Sequence, residues 1–191
     1  MYLAVAAAVI RDGAGRILLA KRPLHVHQGG KWEFPGGKLQ HNELPEAALY
    51  RELHEELGIA IQNPTPLLRV RHTYYGGVPA PERAVLLDVW EVHSWQGQAY
   101  GAEGQEVRWF APSELPSLDV PAANRAIVTA ARLPDYYAIS PEWPLQRPWA
   151  EFLTALTRAL DSGIRLMQLR QPQWQHHPNY PAAVRQAAQL C

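Results

Sequence analysis

The chain has one cysteine among 191 residues, Cys191 at its last position, so it can form no intrachain disulfide. That scarcity fits a reducing cytoplasm, the compartment expected for it. Neither sign of charge is in excess: 18 Lys and Arg balance 18 Asp and Glu. No global field draws in a nucleic acid polymer or another anionic partner. A polyphosphate ligand has to be met locally, by a few basic residues or by metal ions. Long apolar runs are missing too. The opening MYLAVAAAVIRDG is apolar but short and has no basic leader. Arg11, Asp12, Arg16, Lys21 and Arg22 follow almost at once. This reads as a buried strand, not a signal peptide or a membrane span. Internal repeats and low-complexity tracts are absent.

What is present suits one ordinary domain plus an attachment. Apolar residues make up 47% of the chain, enough for a buried core. Strands are expected over residues 2–10 and 16–21, with a turn at Asp12-Gly13-Ala14-Gly15 between them. A loop rich in His and Gly, residues 23–30, leads to a short strand over 31–34 and the turn Pro35-Gly36-Gly37. A helix is expected over 45–57: Pro45 suits its first position, Glu46 its positive end and Gly58 a left-handed stop. Leu44 stands where a capping Ser, Thr or Asp would serve better, a loss of roughly 1 kcal/mol. Two long strands, 67–75 and 83–92, flank the turn GGVPAP. A polar loop over 94–104, a strand over 107–110 and a second helix over 121–132 complete an α/β or α+β layered domain, residues 1–133.

The helix at 45–57 raises a physical question. Glu52 lies beside both Glu55 and Glu56 at helical spacing, and like charges so placed repel. Ala48, Leu49, Leu53 and Leu57 form an apolar face suited to packing on a sheet. Three carboxylates on one helical face are a dense oxygen site for a hard divalent ion such as Mg²⁺ or Mn²⁺. Without metal, at least one should hold its proton more tightly than a free Glu. A carbonyl in the Pro35-Gly36-Gly37 turn could add a ligand. Arg51 is expected to pair with Glu43 or a neighbouring carboxylate.

These residues belong to a longer pattern. Gly37 is followed after five residues by Glu43, after seven more by Arg51-Glu52-Leu53, then after one each by Glu55-Glu56 and Gly58-Ile59. The pattern matches the signature of the Nudix hydrolases at every defined position. More of the chain resembles the MutT branch of that family: KWEFPGGK (31–38), Lys21-Arg22, ERAVLLDVW (82–90), SWQGQAYGAEGQEVRW (94–109) and VPAANRAIV (120–128). The resemblance implies an α/β/α sandwich around a mixed β-sheet. It implies Mg²⁺-dependent hydrolysis of a nucleoside triphosphate such as 8-oxo-dGTP to the monophosphate and pyrophosphate. By the same likeness Glu52, Glu55, Glu56, Glu103 and the Gly36 carbonyl are metal ligands. Glu52 is also the base, with Arg51 and Glu55 beside it in the catalytic set. Arg22, His27, Phe34, Arg83 and Asn124 contact the nucleotide, Asn124 at the purine edge. Phe34 reads equally well as a core residue. Hydrolysis of another diphosphate, such as ADP-ribose or hydroxymethylpyrimidine diphosphate, and a non-catalytic nucleotide-sensing module are the alternatives.

Beyond residue 133 four prolines (134, 141, 144, 148) punctuate the chain, and a β–α–β–α sequence follows. Strands are expected at 136–140 and 164–170, and helices at about 149–160 and 181–190. Residues 135–191 resemble the opening of a thiamine-phosphate synthase (β/α)₈ barrel, chiefly through QLR at 168–170. A barrel needs eight strands, and two cannot close one, so no synthase activity is expected. The unpaired strand edge and apolar faces leave a homodimer open.

Overall fold

The computed structural model describes residues 2–75 and 83–190, with only the backbone of Arg83 described. The expected GGVPAP turn lies outside the described residues. Contacts divide the chain into two compact units, 1–132 and 133–191.

In the first unit the strands are β1 (Tyr2–Arg11), β2 (Ile17–Lys21), β3 (Trp32–Glu33), β4 (Gly36–Lys38), β5 (Ala60–Gln62), β6 (Thr65–Tyr74), β7 (Arg83–Val92), β8 (Ser94–Gln96) and β9 (Val107–Phe110). Its helices are α1 (Pro45–Leu57) and α2 (Arg125–Ala130). The main sheet runs β3-β2-β1-β7-β6, with β1 and β7 parallel and the other pairs antiparallel. One edge of β1 is shared. Ile10 and Arg11 pair with β2, whereas Val5, Ala6 and Ala7 pair with Lys38, Gly37 and Gly36 of β4. This split brings the Gly36-Gly37 backbone to the centre of the sheet.

Gly36-Gly37 was expected as a turn, and it is a strand instead. Gly36 has φ 138°, and an added Cβ there would collide with the Ala6 carbonyl, so only glycine lets the two backbones meet. Two more short strands fall outside expectation. β5 and β8 pair antiparallel across residues that read as helix exit and polar loop. The expected helix at 121–132 is shorter: residues 122–124 form a 3₁₀ turn before the six residues of α2.

Alternation along β1 feeds two cores. Ala6, Ala8 and Ile10 join Leu18 and the buried face of α1, made by Ala48, Leu49, Leu53 and Leu57. Ala7 and Val9 join Ile17, Leu19, Phe110, Ile127 and Val128 on the other face. Alanines on β1 leave room for α1 to lie close. Each fully buried leucine of α1 contributes on the order of 2 kcal/mol. Trp95 stacks on Trp109 with ring centres 5.9 Å apart, a packing role for both.

The second unit holds β10 (Tyr137–Ile139), α3 (Trp149–Asp161), β11 (Leu166–Gln168) and α4 (Tyr180–Ala188). β10 and β11 pair in parallel. Trp143, Phe152, Leu156, Trp174 and Ala187 form its core. Buried Gln171 fixes the turn after β10: its amide donates to the Ser140 hydroxyl (3.1 Å) and the Pro141 carbonyl (2.8 Å), and accepts from the Trp143 N–H (2.7 Å). Among the described residues no helix is long and apolar enough to cross a membrane.

Candidate active site

α1 starts without a side-chain cap at Leu44 and stops at Gly58, whose φ of 67° is left-handed and whose N–H returns to the His54 carbonyl. Between those ends the helix presents Glu52, Glu55 and Glu56 along one flank of its buried face, with Glu52 and Glu56 turned toward β4 and Glu55 exposed. Arg51 organises the first two. Its guanidinium donates to both oxygens of Glu43 (2.9 and 2.8 Å), to Glu52 (2.8 Å), to Glu55 (3.2 Å) and to the Lys38 carbonyl (3.1 Å). Glu43 also accepts from the Gln40 N–H at 2.8 Å. Bonding to Arg51 holds the Glu43 carboxyl below the usual range, and Glu43 and Glu52 hold the Arg51 proton more tightly than usual. One planar fork thus ties helix, preceding loop and β4 together.

The sheet completes the site from the other side. Glu56 accepts from the Gly36 N–H at 3.1 Å. At Gly37 an added Cβ would run into the Glu52 carboxylate. Burial pushes the Glu56 carboxyl up to about 8; the negative charges of Glu33, Glu52 and Glu103 add to that, and the Gly36 N–H opposes it. A proton-holding acid was expected from crowding; burial is its larger cause and the neighbouring charges are the lesser one. Glu33 was not foreseen as part of the cluster. Burial raises it as well, against the pull of Arg22, with which it forms an ion pair. Its place beside the PGG segment in KWEFPGG was the available signal.

The Glu56 shift has a consequence for stability. In metal-free protein the folded state keeps a proton on Glu56 up to about pH 8, whereas the unfolded chain releases it near 4.5. Folded protein therefore binds more protons across that window, and stability falls as pH rises through it. Glu56→Gln should remove the penalty. In chelator the variant and wild type should melt alike at pH 4, and at pH 8.5 the variant should be more stable by a few kcal/mol. Equal melting at both pH values would show that Glu56 ionises freely.

A second set of residues meets beyond the sheet. The Asn124 side chain accepts from the Phe34 N–H at 3.3 Å and does not cap α2. Tyr74, which sequence reasoning missed, links this point to the His-rich loop. Its hydroxyl accepts from the Ala123 N–H at 3.3 Å, and its ring meets His27 edge-on at 5.2 Å. So His27, Tyr74, Asn124 and the Phe34 backbone come together. The Phe34 ring does not present an open wall: it is 3% exposed and belongs to the core cluster with Ile17, Leu19 and Phe110. Arg22 pairs with Glu33 and donates to the His27 carbonyl at 3.0 Å. A cleft of about 420 Å³ lies alongside, lined by Lys21, Arg22, His25, Glu103 and Gln105 among others. The Arg83 side chain lies outside the described residues.

Hard carboxylate oxygens, a glycine backbone pressed against them and an acid forced to keep its proton together fit a divalent cation. Among the described residues no three acidic or histidine side chains are placed to hold a cation as they stand. Arg51 bonds one oxygen of Glu52 and one of Glu55, and a cation would be held by the oxygens it leaves free.

A parallel-centred mixed sheet between helices, carrying this acidic ridge on α1, defines a class, and the chain belongs to the Nudix hydrolase family: residues 6–130 match the NUDIX domain. Over 126 residues it is 34% identical to the 8-oxo-dGTP diphosphatase of Escherichia coli (strain K12), covering 66% of this chain and 93% of that one. It is 43% identical to the 8-oxo-dGTP diphosphatase of Proteus vulgaris over 102 residues, covering 53% of this chain and 86% of that one. The crystal structure of a MutT Nudix hydrolase from Burkholderia pseudomallei is similar at TM-score 0.56 and 31% identity, over 69% of this chain and 96% of that one.

Proposed function

We propose that the chain is a Mg²⁺-dependent nucleoside triphosphate pyrophosphohydrolase of the MutT type, acting on 8-oxo-dGTP and dGTP. The observation that carries this reading is the ridge on α1: Glu52 and Glu55 bonded by Arg51, Glu56 bonded by the Gly36 N–H, and Glu52 close against Gly37. Glu52, Glu55, Glu56, Glu103 and the Gly36 carbonyl are assigned as the ligands. Held there, Mg²⁺ (or Mn²⁺) would supply charge neutralisation of the polyphosphate and a more acidic attacking water. Glu52 would take the proton of the water that attacks the β-phosphorus, with the nucleoside monophosphate as leaving group and pyrophosphate as the other product. Arg51 holds Glu52 in register. Arg22 and Arg83 are assigned to the nucleotide, Arg22 by exchanging Glu33 for the incoming anion. His27, Asn124 and the Phe34 segment receive the base; the Asn124 amide can donate and accept at a purine edge.

The second unit is read as a partial barrel-like segment of the thiamine-phosphate synthase type, supported by its parallel β10 and β11 joined through α3. Self-association of that unit through the free strand edges is part of the same reading.

The test is kcat/KM for 8-oxo-dGTP, dGTP, ADP-ribose and hydroxymethylpyrimidine diphosphate, measured side by side with and without Mg²⁺. The triphosphates should lead by orders of magnitude and lose all turnover without metal. If either diphosphate led instead, the MutT-type assignment would fall while the Nudix chemistry stood. A wholly inactive protein that still bound nucleotide would point to a sensor.

A further inference from the structure

We propose that Gln105 is a positioning residue that fixes how far Glu103 reaches toward the acidic ridge. The last carbonyls of a helix have no partner within it. At the end of α1 a loop supplies them. The Glu56 carbonyl accepts from the Ala102 N–H at 2.9 Å and from the Gln105 side-chain amide at 2.8 Å, and the Leu57 carbonyl accepts from the Tyr100 N–H at 3.2 Å. The other end of the same amide accepts from the Glu103 N–H at 3.0 Å. One side chain therefore joins the helix end that carries Glu56 to the backbone of Glu103.

The loop is shaped around this bridge. The Gly104 N–H closes a tight turn on the Gly101 carbonyl at 3.0 Å, with Gly104 at φ 83°. An added Cβ at Gly101 would collide with the Gln105 carbonyl. Among the described residues Gln105 makes no hydrogen bond to a ridge carboxylate, so it acts through Glu103. Only an amide of this length donates at one end and accepts at the other. A carboxylate would face the Glu56 carbonyl without a proton, and a hydrocarbon would satisfy neither partner. Residues that orient ligands in this way commonly control metal affinity by 10- to 100-fold.

The inference rests on the reading of Glu103 as a ligand, and the experiment separates the two. Mn²⁺ affinity is measured by electron paramagnetic resonance of the free ion, without substrate, for wild type, Glu103→Gln, Gln105→Leu and the double variant. Gln105→Asn, which keeps the amide but is one methylene short, serves if the leucine variant does not fold. Glu103→Gln should weaken Mn²⁺ by about tenfold or more, and Gln105→Leu by about tenfold. In the Glu103→Gln background the Gln105 change should add less than about twofold, since a residue acting through Glu103 has nothing left to act on. Equal losses in both backgrounds, or no loss from Gln105→Leu while Glu103→Gln is weakened, would overturn the role of Gln105 and leave Glu103 standing. Unchanged affinity in Glu103→Gln would remove the ligand and the positioning role together.

Discussion

Glu52→Gln is expected to keep the fold and lose roughly 10³-fold or more in kcat, since it removes a general base and a charged metal ligand together. The side chain is 15% exposed, lies outside the buried set of α1 and, among the described residues, hydrogen-bonds Arg51 alone, so an amide of the same shape disturbs no packing. Its carboxylate lies so close to Gly37 that a methyl group would not fit between them. The substitution changes charge and basicity at that point and little else. Melting temperature in chelator should be within a few degrees of wild type, and single-turnover rates should fall as far as steady-state kcat. Near-wild-type turnover would take Glu52 out of the chemistry.

Arg51→Lys should cost about 10²-fold in kcat/KM, although charge is conserved. The guanidinium reaches Glu43, Glu52, Glu55 and the Lys38 carbonyl at once, through nitrogens at fixed angles. An ammonium is a point donor and cannot span that set. Glu52 and Glu55 would then lose the clamp that holds the ridge against β4. The loss should be visible in both kcat and metal affinity, with nucleotide KM less affected. A lysine variant within about twofold of wild type would mean that Arg51 only neutralises charge.

How much of this was legible in the sequence depends on where each instruction is written. α1 carries its own boundaries, Pro45 and Gly58, and an apolar face at helical spacing, so it and its ridge could be read locally. β4 could not. Two glycines suggest a turn, and they become a strand only because Val5, Ala6 and Ala7 of β1 lie beside them. β5 and β8 are three residues each and exist as each other's partner. The shortening of the second helix goes with a distant contact: the Asn124 side-chain oxygen turns to the Phe34 N–H, and residues 122–124 are 3₁₀.

The site shows the same division. Glu52, Glu55 and Glu56 sit on one helix and were found together. Glu33, Tyr74 and Gln105 were missed, because each meets a partner outside its own element: Glu33 pairs with Arg22, eleven residues away, and the other two reach across 49 residues. Tyr74 meets Ala123 and Gln105 meets Glu56, contacts that no short motif contains. Phe34 could be a pocket wall or a core residue by sequence, and only burial decided it for the core.

The central claim is that the ridge on α1 grips a divalent cation that in turn grips a polyphosphate. Anomalous diffraction from a crystal soaked with Mn²⁺ and a non-hydrolysable nucleoside triphosphate tests it directly. Manganese should appear against Glu52, Glu55 and Glu56, with phosphate oxygens on its far side and Arg51 still bonded to Glu43. Manganese density elsewhere, with the three carboxylates still tied to Arg51 and Gly36 and turned to water, would contradict it.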